Sequence, residues 1–287
     1  MTLSPADALP VQTKNRLRQA MAQDRFVQFL LLSLAGLVAL AVAGLLLTPY
    51  DPTEADFLDR LAPPSLSHWF GTDQLGRDIA TRILYGSGWS IGLALIVSTA
   101  GAVIGTIVGL MAGYVGRWAD PLLMRVTDSF FAFPELIAAI AISGIIGPST
   151  NNMVIALVSV SWMKFARLTR TLTLSIGHKD FVVQARLNRL PQWLILWRHI
   201  LPNLRMSILV LWTSSWSKTI LAISGLSFLG FGVQPPQAEW GAMLLDGKPY
   251  MQTAPHLMIF PGLAILVTVL AINLTGDQLR DRLQDPT

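Results

Sequence analysis

Apolar residues fall in six long runs, each about 20 residues or more, the length that carries an α-helix at 1.5 Å per residue through roughly 30 Å of hydrocarbon. They cover about residues 28–47, 89–113, 122–146, 152–172, 206–225 and 257–274. Two prolines and an acid in Thr48-Pro49-Tyr50-Asp51-Pro52 close the first, since proline lacks the amide a helix needs to continue. The second carries Gly92, Gly101, Gly105, Gly109 and Gly113. The last four are spaced four apart, which clears one helix face for close backbone contact, so that face is expected to meet protein rather than lipid. Arg125 and Asp128 lie near the start of the third run, and Pro134-Glu135 interrupts it, so a kink or an interfacial turn is expected there. Lys164, Arg167 and Arg170 crowd the end of the fourth, Lys218 sits within the fifth, and a Gly- and Pro-rich stretch, 230–256, separates the fifth from the sixth. The pattern predicts an all-α, polytopic membrane protein with six transmembrane helices over 28–275. A polar tail precedes them at 1–27, a loop crosses 173–205 and a short charged tail follows at 276–287.

Composition supports the membrane reading. Hydrophobic residues make up 52% and charged ones 13%, about half the charge of an ordinary soluble domain. There is no cysteine, which excludes a disulfide framework, a thiolate metal site and a thiol nucleophile. A net charge of +4 raises the possibility of nucleic acid until the basic residues are placed on the spans. With the N-terminus inside, sixteen Lys and Arg fall on the inner side and four, Arg60, Arg77, Arg82 and Lys248, on the outer, with Lys218 left in a span. Basic residues collect on the cytoplasmic side of membrane proteins, so both termini and the 173–205 loop are expected to be cytoplasmic, and no nucleic-acid partner is implied. About 25 polar residues precede the first run, which makes it an expected uncleaved anchor.

Within the basic loop, residues 181–190 place Val182, Val183, Leu187 and Leu190 at roughly helical spacing opposite Arg186 and Arg189. Such a helix fits a partner's groove or the surface of anionic lipid, and periodicity alone does not choose between them. A cation inside a span is costly and normally faces a bundle interior or a water-filled path, so Lys218, with Ser214 and Trp216 nearby, is a candidate for a translocation path. The alternative is a structural partner for its ammonium, or snorkelling to the interface. Asp73, Arg77 and Asp78 lie in a Gly- and Asp-rich turn that either pairs within itself or, with the upstream acids Asp51, Glu54, Asp56 and Asp59, docks a soluble protein. The four histidines, His68, His178, His199 and His256, lack the spacing of a zinc site, so no bound metal is expected. Residues 225–230 miss the nucleophile-elbow spacing by one position, and no G-x-x-x-x-G-K-[ST] loop occurs. A transport subunit rather than an enzyme is expected, binding no cofactor itself, with any ATP and Mg used by a partner chain.

Three segments resemble a family. Gly71-Thr72-Asp73-Gln74-Leu75-Gly76-Arg77-Asp78, continued by Thr81-Arg82, Gly86 and Ser90-Ile91-Gly92, is similar to the second permease subunit of dipeptide, oligopeptide and nickel ABC importers. So are Leu226-Ser227-Phe228-Leu229-Gly230-Phe231-Gly232-Val233, Pro235-Pro236, Trp240-Gly241 and the later Asn273-Leu274, Gly276-Asp277 and Leu279-Arg280-Asp281. The basic loop ends in Leu201-Pro202, as does the family's coupling segment, whose pattern is Glu-Ala-Ala, a Gly six residues after the Glu, then Leu-Pro. Counting back puts the Glu position at Val183, the Ala positions at Gln184 and Ala185, and the Gly position at Arg189, so only Ala185 matches.

The resemblance spans about residues 28–283. It implies a type I importer permease in the bacterial cytoplasmic (inner) membrane. Its partners would be a homologous second permease, two cytoplasmic ABC ATPases that grip the helix around Val183, Gln184, Ala185, Arg186 and Arg189, and an extracytoplasmic solute-binding protein. The implied cargo is a small peptide or a nickel or metal-chelate (metallophore) complex, and residues 238–243 lean toward the latter. The rival is an ATP-independent secondary transporter or channel, which requires membrane-embedded acids or broken helices at the midplane; Asp128 and Glu135 come nearest. An intramembrane hydrolase lacks a catalytic pair.

Overall fold

The computed structural model describes residue 36, residues 50–116 and residues 118–284; the expected tail 1–27 and, apart from Gly36, the expected first span lie outside the described residues. The described chain is helical: α1 (Ile79–Val115), α2 (Ala119–Phe131), α3 (Glu135–Ile146), α4 (Thr150–Gly177), α5 (Asp180–Leu187), α6 (Gln192–Ile195), α7 (Leu201–Phe228), α8 (Trp240–Gly247) and α9 (His256–Gln284). Among the described residues the only β pairing is a single bridge between Thr72 and Asp78.

Three helices are long and apolar enough to cross a membrane: α1, the continuous helix Gln192–Phe228, and residues 256–278 of α9; the pair α2 and α3 makes a fourth if taken as one span. That pair bends by 85° at Pro134, so the run expected as a kinked span over 122–146 is two helices at nearly a right angle. The residue before a proline is pushed out of the helical region, and Phe133-Pro134 is where the helix breaks. α4 is 28 residues long, but Lys164, Arg167 and Arg170 make its second half polar.

Two boundaries move. Asp78 caps α1 by accepting from the Thr81 amide at 2.7 Å, starting the helix ten residues before the apolar run. At the other site, the loop expected to reach Arg205 instead turns helical at Gln192, directly after Pro191. A widened π-helical turn, Leu196–Ile200, stands immediately before α7, where the Pro202 ring would otherwise meet a carbonyl of the preceding turn.

α1 is the central helix, and its glycine stripe packs against α4. A methyl group at Gly105 would overlap the Trp162 carbonyl, one at Gly109 would lie 2.5 Å from the Ala166 carbonyl oxygen and one at Gly113 2.8 Å from Thr173 Cβ. Lipid tails are as apolar as leucine, so association inside the membrane rests on such close van der Waals contact rather than on apolar burial. At the N-terminal end of α1, α8 is wedged between α1 and α7. Glu239 is fully buried and caps α8 through the Ala242 amide at 2.9 Å, while accepting from the Ser90 hydroxyl at 3.0 Å. The Trp240 indole donates to the Ile83 carbonyl at 3.0 Å, and Gly241 lies directly against the Ser224 backbone.

Candidate functional site

Three regions carry the residues that the sequence singles out. They lie at the two ends of α1 and along α7.

At the C-terminal end of α1, α5 is a short platform standing on a core of its own. Val182 and Ala185 are buried with Leu110 of α1, Ile195, Ile200 and Leu204, so both α1 and the helix leading into α7 are packed under it. Val183, Gln184, Arg186 and Arg189 are exposed. Ala185, the one position that matches the family's Glu-Ala-Ala pattern, faces the core beneath α5. Leu187 is 76% exposed, and Trp193 and Trp197 are each 64% exposed beside it in sequence, giving the platform an apolar and basic outer surface. Arg186 lies 5.0 Å over the Tyr114 ring, a cation–π contact that ties the platform to the end of α1.

The end of α5 explains the family's glycine. Arg189 has φ +56°, its amide donates to the Arg186 carbonyl at 2.9 Å and the Leu190 amide to the Ala185 carbonyl at 3.2 Å. This is the Schellman arrangement, in which the residue past the cap is left-handed and glycine is favoured. Arginine occupies the strained position here.

Along the bundle, Lys218 and Ser214 share a face of α7, four residues apart. Lys218 opens into a cleft of about 220 Å³ lined also by Val97, Glu135, Leu157 and Ser161. Ser214 opens into a second of about 490 Å³, with Lys164, Asn273, Asp277 and Arg280. A third, about 370 Å³, lies between Phe131, Glu135 and Lys164. Glu135 thus borders the first and third clefts, and Lys164 the second and third. Trp216 does not join this face: two residues from Lys218 it is rotated by about 200°, is 5% exposed and donates to the Ile91 carbonyl at 3.4 Å against α1.

Sequence reasoning missed the acidic partners of α4. Lys164, Arg167 and Arg170 pair with Glu135 at 3.2 Å, Asp128 at 2.5 Å and Asp120 at 2.6 Å. The signal was present as three cations at i, i+3 and i+6 and three acids about seven residues apart, but the right-angle bend that brings them together was not legible. The broken helix and its acids are features a secondary transporter would also show. Here all three acids are paired with α4.

At the N-terminal end of α1, Asp73, Arg77 and Asp78 are buried, at 4 to 6% exposure. Arg77 donates from Nε to Asp73 at 2.7 Å, Arg82 lies 3.4 Å from the same carboxylate and 2.7 Å from the Pro52 carbonyl, and Asp78 meets His68 at 3.0 Å. Burial pushes the Asp246 carboxyl above the usual carboxylate range, against the opposing pull of Arg82 and Arg77. Asp73, Arg77 and Asp78 therefore fasten the 50–78 loop to α1 and present almost no surface of their own. Asp51, Glu54, Asp56 and Asp59 are exposed or nearly so on the outside of that loop.

Residues 105–285 match the family described as the inner membrane component of binding-protein-dependent transport systems. The dipeptide transport system permease protein DppC of Alkalihalophilus pseudofirmus is 41% identical over 256 residues, 89% of this chain and 84% of that protein. The glutathione transport system permease protein GsiD of Pectobacterium atrosepticum is 45% identical over 251 residues, 87% and 83% of the two chains, and that of an Escherichia coli strain 43% identical over the same length. Among solved structures, a chain of the inward-facing MetNI methionine ABC transporter superposes with a TM-score of 0.58 at 16% identity, covering 71% of this chain and 97% of that one. That likeness is one of fold.

Proposed function

Because the chain belongs to the family of inner membrane components of binding-protein-dependent transport systems, a permease subunit working with ATPases, a second permease and a solute-binding protein, we propose that it carries short peptides across the bacterial cytoplasmic membrane and takes its energy through α5. The observation that supports the coupling role is the construction of α5, buried through Val182 and Ala185 on a core shared with α1 and the start of α7, with Val183, Gln184, Arg186 and Leu187 left open. A load on that open face moves two spanning helices. The path face supports the transport role: Lys218, Ser214, Glu135 and Lys164 place charge and a hydroxyl along open clefts, with Lys218 and Glu135 exposed. Charged groups at membrane depth are retained where they face a path or a partner.

The full arrangement in this reading is six spans with both termini cytoplasmic, a tail over 1–27, the 173–205 segment on the cytoplasmic side, two ATPases below, a homologous second permease beside and the binding protein above. ATP and Mg are held by the ATPases. Dipeptide and glutathione transport in the relatives favours a short peptide over nickel or a metallophore. The residues that leaned toward metal cargo, 238–243, are buried in the α8 wedge and cannot meet a cargo.

The absence of cysteine makes the test direct. A Val183→Cys variant carrying a benzophenone label, illuminated in the assembled importer, is expected to cross-link to a subunit with a Walker A sequence, and the label at Thr53→Cys on the opposite end is not. Cross-linking of the α5 label to lipid or to the solute-binding protein alone would overturn the coupling assignment.

A further inference from the structure

Among the described residues the path face holds two cations without a hydrogen bond or ion pair, Lys218 and Arg280, and of these Lys218 stands far inside its helix while Arg280 is four residues from the end of its own. Among the described residues Lys164, Arg167 and Arg170 each have an acid within 3.2 Å, Lys248 lies over the Phe228 ring at 5.6 Å, and Arg77 and Arg82 share Asp73. Lys218 meets neither a hydrogen-bond partner nor an ion pair among the described residues, and it is exposed. It stands 17 residues into α7 and 10 from its end, about 25 Å and 15 Å from the two ends of the helix. A lone cation within a membrane span is costly and is retained where it faces a path or a partner. Among the described residues those that hold α7 in place, Trp216, Ile220 and Ile223, lie on its other side.

The surroundings specify what would satisfy it. The cleft it opens into is lined mainly by apolar atoms with Ser161 and Thr219 at its wall, and Glu135 is the one acid that borders it. Glu135 is already shared with Lys164, at 3.2 and 3.4 Å through its two oxygens. Beyond Lys164 the charge continues along the next cleft with Asp277 and Arg280. Lys218, Glu135, Lys164, Asp277 and Arg280 therefore border adjoining clefts with both signs of charge represented. With Glu135 and Lys164 paired to each other, Lys218 is the unpartnered donor that a carboxylate entering the cleft of Val97, Leu157 and Ser161 meets.

We propose that Lys218 is a specificity-determining residue that binds the C-terminal carboxylate of the peptide in transit. This rests on the peptide reading of the cargo given above. A charge-assisted hydrogen bond of this kind contributes roughly 1.5–3 kcal/mol, about tenfold or more in a rate or binding ratio. The site asks only for a free carboxylate and leaves the peptide's side chains to the apolar wall, so it selects the class of cargo and not its sequence.

The test uses the complete importer in proteoliposomes, with binding protein outside and ATP within. A dipeptide and its C-terminally amidated form are compared, each bearing a photoactivatable leucine. Uptake of each by a variant is divided by uptake of the same peptide by the wild type, which cancels any preference of the binding protein. Lys218→Met is expected to lower relative uptake of the free-carboxylate peptide about tenfold more than that of the amide, and Lys218→Arg to stay within about twofold of wild type. Illumination during turnover is expected to label the 214–222 segment of α7 in the wild type and Lys218→Arg but not in Lys218→Met. Equal loss for both peptides, with labelling unchanged, would overturn the assignment and point to an acid of the second permease as the partner of Lys218. Failure of the wild-type importer to move or photolabel with any peptide would instead overturn the peptide reading. If only the amide is not carried by the wild type, the labelling comparison alone decides.

Discussion

A single residue shows how the family's pattern and the physics of a helix end meet. The segment around Arg189 departs from Glu-Ala-Ala and Gly at three of its four positions, and by identity alone it looks degenerate. The backbone is nevertheless the one glycine serves: φ is +56° and both hydrogen bonds of a Schellman end are formed. An L-residue in the left-handed region is strained by about 1–2 kcal/mol, part of which glycine returns through its larger unfolded entropy. Arg189→Gly is therefore expected to stabilise the solubilised protein by a few tenths to about 1 kcal/mol, read as an upward shift in unfolding temperature. A fall would mean that the guanidinium makes a contact in the assembly that outweighs the strain. The sequence places the position correctly by counting from Leu201-Pro202, but it cannot show that Ala185 faces inward or that Trp216 turns away from Lys218. Those follow from which neighbours each helix finds.

Among elements, the glycine stripe of α1 was legible because its meaning is local: four glycines four apart can only clear one face. Its partner was not named in the sequence, and the structure assigns it to α4. Gly105→Leu is expected to cost at least about 1–3 kcal/mol by driving a side chain into the Trp162 carbonyl, whereas Gly92→Leu, where a Cβ meets nothing within 4 Å, is expected to be tolerated. Yield of monodisperse complex after detergent extraction separates the two. Equal effects would mean that the α1–α4 contact is not what the stripe serves. The broken helix α2–α3 was only half legible. Pro134 marks the break, but an 85° bend depends on the ion pairs to α4, which lie 29 to 50 residues away in sequence. Helix starts were the least legible feature, since Asp78 and Pro191 begin helices in polar sequence that hydropathy treats as loop.

At the level of the molecule, the 50–78 loop and the α5 platform stand at opposite ends of one long helix, and Val97 near its middle borders a cleft of α7. α1 runs 37 residues, about 55 Å, from the buried Asp73, Arg77 and Asp78 network at one end to Tyr114 under Arg186 at the other. Charge at the first end is spent on fastening a loop, charge in the middle lines clefts, and charge at the far end is exposed. In the proposed topology that far end is cytoplasmic, where the proposed ATPase contact on α5 would lie. The measurement that tests this account most directly is ATP-dependent uptake of a radiolabelled dipeptide by the complete importer in liposomes, with wild-type α5 and with Leu187→Asp, which places a charge on the most exposed apolar residue of the platform. The wild type is expected to require both ATP and the binding protein, and the variant to lose about tenfold or more in uptake while the permease pair still purifies intact. Uptake that proceeds without ATP, or that is indifferent to the Leu187 substitution, would contradict coupling through α5 and return the chain to the class of secondary carriers.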